Sequence, residues 1–313
     1  MRESAPSALR PGNADQIAFR NALLNAGILH ASSVRGVYGK GPVFVATFEA
    51  LDRFVTAAGR IDDPEVLRFP AVIPAGDLVC SDYLRSFPDL VGAIHGFEGG
   101  NTEHAALLRD LADGRDGDEH FSRTDLMLLP AACYPIYPML AASEVPPEGR
   151  LLDVLGTCFR REPSDDPARM QAFHMHEFVH VGTPGSAIAF RDDWIGRSQQ
   201  MMDDLGLQVR VEVANDPFFG RAGSMLAANQ REHALKYELL ATVSSEAQPT
   251  AIVSCNCHVD HLTAKFGIAV AGGGEAHSAC TGFGLDRIVL ALFAAHGFDP
   301  SRWPSHVCKR LWP

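Results

Sequence analysis

The sequence predicts an α+β fold: an antiparallel sheet with helices set to one side. Three observations carry this. Two extended stretches, residues 150–162 and 171–182, flank the turn-rich segment PSDDPAR and read as a long antiparallel hairpin. Further strand-like runs recur close by, with amphipathic helical segments between them. No linker, repeat or low-complexity tract divides the 313 residues, of which 46% are apolar. That is enough for a single large domain spanning 1–313.

Taken in order, residues 1–12 read as a flexible lead-in. NADQIAFRNALLNAGILH then forms a helix capped by Asn13 or Asp15. TFEALDRFVTAAGR places Phe48, Leu51 and Val55 on one helical face and ends at Gly59. RFPAVIPAGDLV is extended, punctuated by Pro70 and Pro74, and SDYLRSFPDLV is a short helix or turn. RTDLMLLPAACYPIYPMLAA starts as a buried strand, breaks at Pro130 and resumes as a helix after Pro138. In the second arm of the hairpin, Phe173, Met175, Glu177 and Val179 share one face, and His174, His176, Phe178 and His180 the other. SAIAFRDDWIGRSQQMMDDLGL is a helix and QVRVEVAN a strand. The segment 220–241 mixes a helix with a return to the sheet. TAIVSCNCHVDHLTAKFGI and the residues leading into GFGLDRIVLALFAAHG supply the last strands and a closing helix.

Composition narrows the function classes. No apolar run approaches the roughly 18 residues of a membrane span, and MRESAPSALRPGNADQ has no apolar core of a secretory signal. The seven cysteines have no framework spacing, so reduced thiols in a cytoplasmic setting are expected. A net charge of -11 without any Lys/Arg run argues against a nucleic-acid partner.

The hairpin carries a resemblance. Phe159-Arg160-x-Glu162, a loop, then His174-x-x-x-Phe178 resembles motif 2 of the class II aminoacyl-tRNA synthetases. GFGLDRIVLAL, with Asp286-Arg287 opening an apolar helix, resembles motif 3, and LRFPAVIPAGDLV resembles the dimer-forming motif 1. The three stand in family order, and the likeness runs from about residue 45 to the end. Within that class the chain is similar to the seryl branch: LMLLPAACYPIYP stands where seryl enzymes carry a Pro-Thr-x-Glu loop, and LKYEL and SCNC echo late seryl segments. No counterpart of the helical arm that grips tRNA is expected. Cys133, Glu177 and Cys280 look like the Cys-Glu-Cys zinc set of the methanogen-type seryl enzymes. Both features together resemble the amino acid:carrier protein ligases, truncated synthetase homologues that load a small amino acid onto a carrier's phosphopantetheine thiol.

The resemblance implies roles. Arg160 would meet the α-phosphate of ATP, where a planar, permanently charged group answers developing charge. Glu162 would accept from the adenine amino group, Phe178 would offer adenine a ring face, Arg287 would reach the γ-phosphate, and His174 would contact phosphate. Cys133, Glu177 and Cys280 would hold one Zn2+ per protomer with a position open for the substrate amine. Cys133, Ser254 and Asn256 would border the amino acid. Ala251 stands where seryl enzymes carry a Mg2+-binding Glu, which leaves Glu238 or another acid for the triphosphate's Mg2+. Gly182 stands where they use a carboxylate for the amine. With Ala131 in place of a Thr, no obvious partner awaits a serine hydroxyl. Glycine is the expected substrate, alanine second.

Other readings complete the set. Cys255, Cys257, His258 and His261 form a rival metal cluster, but alternation along a strand sets His258 opposite the two cysteines. Cys80, Cys158 and Cys308 read as ordinary buried thiols, and His176 and His180 as surface or loop-packing residues. The segment 218–232 reads as an insertion whose Arg221 and Arg231 could dock an acidic carrier protein; a packed surface helix is the plain alternative. The expectation is a homodimeric, ATP- and Mg2+-dependent ligase with no tRNA and no membrane partner. The rivals are a seryl-type tRNA synthetase and a non-catalytic paralogue acting as a binding module.

Overall fold

The structure, a computed structural model, describes residues 12–313, apart from the side chains of residues 220–223, 226 and 229. The expectation for residues 1–12 therefore falls, except at Gly12, outside the described residues. Helix α1, Ala14–Asn25, begins with a reciprocal cap. The Asn13 side chain accepts from the Gln16 amide at 2.9 Å, and the Gln16 side chain accepts from the Asn13 amide at 2.8 Å. Helix α2, Pro42–Gly59, buries Phe44, Thr47, Ala50, Leu51 and Val55, a three-and-four spacing that keeps one stripe on the core. It ends at Gly59, where a side chain would collide with the ring of Phe178. Helices in the second half of the chain are α3, Pro184–Asp204, α4, Gly220–Glu232, α5, Leu285–His296, and α6, Ser305–Leu311.

The main sheet has seven strands: β1 Glu65–Leu67, β2 Arg150–Phe159, β3 Ala172–Gly182, β4 Val209–Val213, β5 Lys236–Ala241, β6 Thr250–Val259 and β7 His277–Gly284. Their spatial order is β4-β5-β6-β7-β3-β2-β1. All pairs are antiparallel except β1 with β2. The expected hairpin is β2–β3, registered from Arg150 opposite Val181 to Phe159 opposite Ala172. One face carries α2, α3, α5 and α6 over Phe178, Leu239, Val253, Cys255 and Phe283. The other is covered by residues 131–145 and 262–276, which pack on Leu152, Val154, Val179, Val181 and Cys280. No helix among the described residues is long and apolar enough to cross a membrane.

Three local expectations are corrected. Only Val72–Pro74 of RFPAVIPAGDLV is a strand; Ala75–Cys80 turns helical and buries Leu78 beside Ile73, Tyr83, Met127 and Leu129. Phe121–Leu128 is a strand but largely exposed, with Met127 alone buried. It belongs to a separate three-stranded sheet with Val72–Pro74 and Ala93–Phe97, so it has no second layer on both faces. The helix placed after Pro138 is a single turn, Ile136–Met139, that includes Pro138; a first turn tolerates proline because its amide has no helical partner. The strand Ala93–Phe97 and the helix Asn101–Ala112 had no sequence reading.

Candidate active site

A cavity of about 530 Å3 runs over the sheet face opposite the long helices. Its walls come from β3, β5, β6 and β7, Arg160 just past the end of β2, the start of α5, and the coil around Cys133. Alternation along β3 decides what it sees: Phe173, Met175 and Glu177 line it.

One end is cationic. Arg160 donates from its amide to the Gln171 carbonyl at 2.9 Å, and its Nε donates to the Pro130 carbonyl at 3.0 Å. The guanidinium carbon lies 5.5 Å from the Phe173 ring centroid. Arg287, in the first turn of α5, donates Nε to Ala168 at 2.8 Å and Nη1 to Ala251 at 3.0 Å. Burial, then the nearby charges of Arg169 and Arg160, push its pKa down to about 10. Two arginines line this end of the cavity and a third stands close by, in a chain of net charge -11. An anion bound here relieves their mutual repulsion. Behind Arg287, burial works against ionisation of Asp286, but hydrogen bonds from His174 and the charge of Lys40 outweigh it and hold the carboxyl below its ordinary range.

Several expected residues take other places. Phe178 is fully buried on the helix side, stacked on Trp194 at 4.7 Å and 13° and edge-on to Phe283 at 6.3 Å. It does not face this cavity; of the two phenylalanines on β3, the one that lines it is Phe173. The spacing Arg/His-x-x-x-Phe occurs twice, at Arg169–Phe173 and at His174–Phe178, and only the first puts its ring on the cavity side. Glu177 lines the cavity, and Gly182 does not. His174 borders the cavity, yet its ring packs edge-on to Phe48 at 4.8 Å, with Nδ1 3.2 Å from Asp286 and 3.1 Å from Lys40. It braces Asp286 instead of reaching toward phosphate. Glu162 does not line the cavity; its carboxylate is 4.0 Å from Arg169 at the edge. Glu238 does line it, opposite Ser254 across the strands, but it shares Lys236 (3.0 Å) with Asp216 (2.5 Å). His176 is buried, with Nδ1 2.8 Å from Asp52 and Nε2 3.0 Å from Asp153. His180 is also buried and bonds Ser186 at 2.9 Å, so neither His is a surface residue. Cys80 is exposed rather than buried, whereas Cys158 is buried. Lys40, Arg169, Asp216 and Lys236 had no role in the sequence reading. Lys40 is brought to the site by pairing with Asp286, from the other end of the chain, and Asp216 meets Lys236 across the intervening α4 segment, whereas Arg169 carries a local mark, the spacing to Phe173.

The other end of the cavity gathers Cys133, Glu177 and Cys280 from three distant segments. Their ligand atoms all lie within 4.8 Å of one another, and all three residues are buried. The Ala132 amide donates to Glu177 Oε1 at 2.8 Å, which fixes the carboxylate. Burial, then the proximity of Cys280, push the Glu177 pKa up to about 7. A hydrogen bond from Cys133 holds the Cys280 thiol well below its usual range, and the same contact raises Cys133. Two sulfurs and one carboxylate around a common centre are the donor chemistry of a four-coordinate zinc with one position open, and the set fits that ion. Ser254 and Asn256 line the adjacent wall; Asn256 Nδ2 is 3.4 Å from both Ser254 Oγ and Cys280 Sγ. The rival cluster does not assemble. Cys255 lies in the helix-side core, where Thr281 Oγ1 donates to its sulfur at 3.6 Å, while His258 lines the cavity.

Near the mouth, Phe218 stacks on Phe87 at 5.2 Å and leads into α4. Arg231 on α4 is exposed; the side chain of Arg221 lies outside the described residues. Asp216 pins the base of this segment, its amide donating to Gln230 Oε1 at 2.7 Å and its carboxylate accepting from Gln230 Nε2 at 2.9 Å.

No family model matches the chain. Two proteins of Bradyrhizobium diazoefficiens do: amino acid–acyl-carrier-protein ligase 2, 42% identical over 301 residues, 96% of this chain and 89% of that protein, and ligase 1, 42% identical over 298 residues, 95% and 91%. A type-2 serine–tRNA ligase of Methanopyrus kandleri is 28% identical over 198 residues, 59% of this chain and 37% of its own length. Among solved structures, the M. kandleri seryl-tRNA synthetase bound to tRNASec of A. aeolicus superposes with a TM-score of 0.81 at 24% identity, covering 94% of this chain and 60% of that one. Pyrococcus horikoshii seryl-tRNA synthetase complexed with ATP gives 0.69 at 16% identity, over 93% of this chain and 62% of its own. The fold is that of the class II aminoacyl-tRNA synthetase catalytic domains.

Proposed function

The chain belongs to the amino acid–acyl-carrier-protein ligases, and we propose that it activates a small amino acid, glycine before alanine, as its adenylate and passes the acyl group to the phosphopantetheine thiol of a carrier protein. The observation that carries this is a single cavity with arginines at one end and the Cys133–Glu177–Cys280 set at the other. A nucleotide phosphate and an amino acid can therefore meet in it.

The chemistry follows from the residues. Phe173 offers the face on which adenine stacks, and Glu162 stands at the edge for its amino group. Arg160 stabilises the charge that builds on the α-phosphate as the substrate carboxylate attacks, and Arg287, held by the Ala168 and Ala251 carbonyls, takes the γ-phosphate. Glu238 is the acid on the cavity wall best placed to share Mg2+, in competition with Lys236. Zinc held by Cys133, Glu177 and Cys280 would take the substrate amine as a neutral ligand, selecting a free α-amine. Asn256 and Ser254 close the space beyond the α-carbon, so larger side chains meet a filled wall. The carrier's thiol then displaces AMP without a protein nucleophile; positioning supplies the rate. The work is done by one catalytic domain without tRNA, in a homodimer whose contact includes the exposed Ile61 and Val66 at the β1 edge, 80% and 57% accessible. The exposed α4, with Arg231, is the docking element for an acidic carrier.

Amino-acid-dependent pyrophosphate exchange across all twenty amino acids tests the reading. Glycine is expected to give the highest kcat/KM and alanine the next, separated by about 10- to 200-fold, the worth of one methyl. Serine outrunning both would show that the wall reads a hydroxyl and would overturn the choice of substrate.

A further inference from the structure

His258 lies at the end of β6 and lines the cavity beside the cysteines, but it belongs to neither the arginine wall nor the ligand set. Its Nε2 is 3.5 Å from Cys280 Sγ. Its Nδ1 is 3.1 Å from Ser278 Oγ and 3.2 Å from the Tyr137 hydroxyl, which are themselves 3.1 Å apart. The chemistry of these partners fixes the ring. With Cys280 as a metal-bound thiolate its sulfur accepts from Nε2–H, and Nδ1 of the neutral ring then accepts from one of the two hydroxyls. Asn256 Nδ2, at 3.4 Å, is the second donor to the same sulfur.

The connections join the segments that carry Cys133 and Cys280. Tyr137 sits in the one-turn helix just after Cys133, Ser278 lies two residues before Cys280 on β7, and His258 and Asn256 share β6. The backbone around His258 is specialised as well. The β6–β7 register slips between Cys257 and Val259, and Val259 has a φ of 55°, a left-handed conformation that is an outlier for a β-branched residue. Such geometry persists only where the surroundings over-determine it, and it clusters at functional sites.

We propose that His258 is a positioning residue of the metal site: its Nε2–H donates to the Cys280 sulfur, and Tyr137 and Ser278 hold it in that tautomer. The proposal rests on the reading of Cys133, Glu177 and Cys280 as zinc ligands. A donor to a ligating thiolate fixes the direction of the sulfur toward the metal, and outer partners that orient ligands carry about 10- to 100-fold in metal affinity.

Zinc affinity by chelator competition, with the thiolate-to-metal charge-transfer band of the cobalt-loaded protein, tests it. His258→Ala is expected to weaken zinc binding about 10- to 100-fold and to shift the cobalt band. His258→Gln, whose amide can still donate to sulfur, should recover most of both. Tyr137→Phe, which leaves the ring but loosens its tautomer, should give an intermediate band. In pyrophosphate exchange, KM for the amino acid should rise in His258→Ala while KM for ATP stays put. Wild-type affinity and an unshifted band in a folded His258→Ala protein would overturn the proposal. An imidazole ligand seen by X-ray absorption in the wild type and lost in His258→Ala would overturn it too, making His258 a ligand. If His258→Ala does not fold, His258→Gln decides: a wild-type-like band supports a donor role, and loss of the metal refutes it. A wild-type protein that takes up no zinc at all would instead sink the ligand assignment beneath it.

Discussion

Phe173 and Phe178 are five residues apart on one strand, and the two substitutions to alanine should fail in opposite ways. Phe178 is fully buried between Trp194 and Phe283, and Gly59 closes over its ring. Emptying such a site costs about 3–5 kcal/mol, and each lost ring pair accounts for about 0.5–1.5 kcal/mol beyond simple area. Phe178→Ala should therefore lower the denaturation midpoint in urea by an amount equivalent to the upper part of that range. At a temperature where the variant remains folded, KM for ATP should be close to wild type. Phe173 is half-buried, lines the cavity and sits under Arg160. Stacking of a base on an aromatic side chain is worth about 1–3 kcal/mol, so Phe173→Ala should raise KM for ATP roughly 5- to 150-fold with little change in the urea midpoint. The assay pairs urea unfolding with pyrophosphate exchange at varied ATP. The reverse pattern, a stable Phe178→Ala with a large ATP defect and an indifferent Phe173→Ala, would refute the assignment of the adenine platform.

Other outcomes follow from the same geometry. Arg160→Ala removes a charged donor aimed at developing charge, worth roughly 3–4 kcal/mol, so the exchange rate should fall about 10²- to 10³-fold; a loss of a few-fold would make Arg160 structural. Cys133→Ser and Cys280→Ser should each release the zinc measured by elemental analysis and abolish adenylate formation, and active protein free of zinc would count against the site. His176 offers both ring nitrogens to carboxylates; burial lowers its pKa, but Asp153 and Asp52 outweigh this and raise it above 6.5. A raised imidazole contributes stability that is fully present below the unfolded pKa and is lost as pH rises through the folded one. His176→Gln should thus be destabilised by about 3–5 kcal/mol near pH 6, with the gap to wild type narrowing toward pH 9; a gap that widens with pH would contradict a charged His176.

Much of the fold was legible because the hairpin, the closing helix and the strand alternation are local patterns. The segments that misled are those whose conformation is set from outside. Phe121–Leu128 has strand-forming residues, but only a tertiary partner decides whether both of its faces are covered. The site was legible where chemistry is rare: two cysteines and a buried glutamate converge as the resemblance implied. The placement of adenine failed on a repeated spacing. Alternation already set Glu177 and Phe178 on opposite faces, so the two could not serve one cavity, and that conflict was readable without coordinates. Lys40 was not readable, since it acts through Asp286 from the other end of the chain.

The central claim concerns the acceptor. The most direct measurement is intact mass spectrometry of the products after incubation with ATP, Mg2+ and glycine, offering phosphopantetheinylated carrier protein, the same carrier lacking the prosthetic group, or tRNA. The account predicts that the phosphopantetheinylated carrier alone gains one glycyl group, released by hydroxylamine as a thioester should be. Charged tRNA with an unmodified carrier would contradict it and make the chain an aminoacyl-tRNA synthetase.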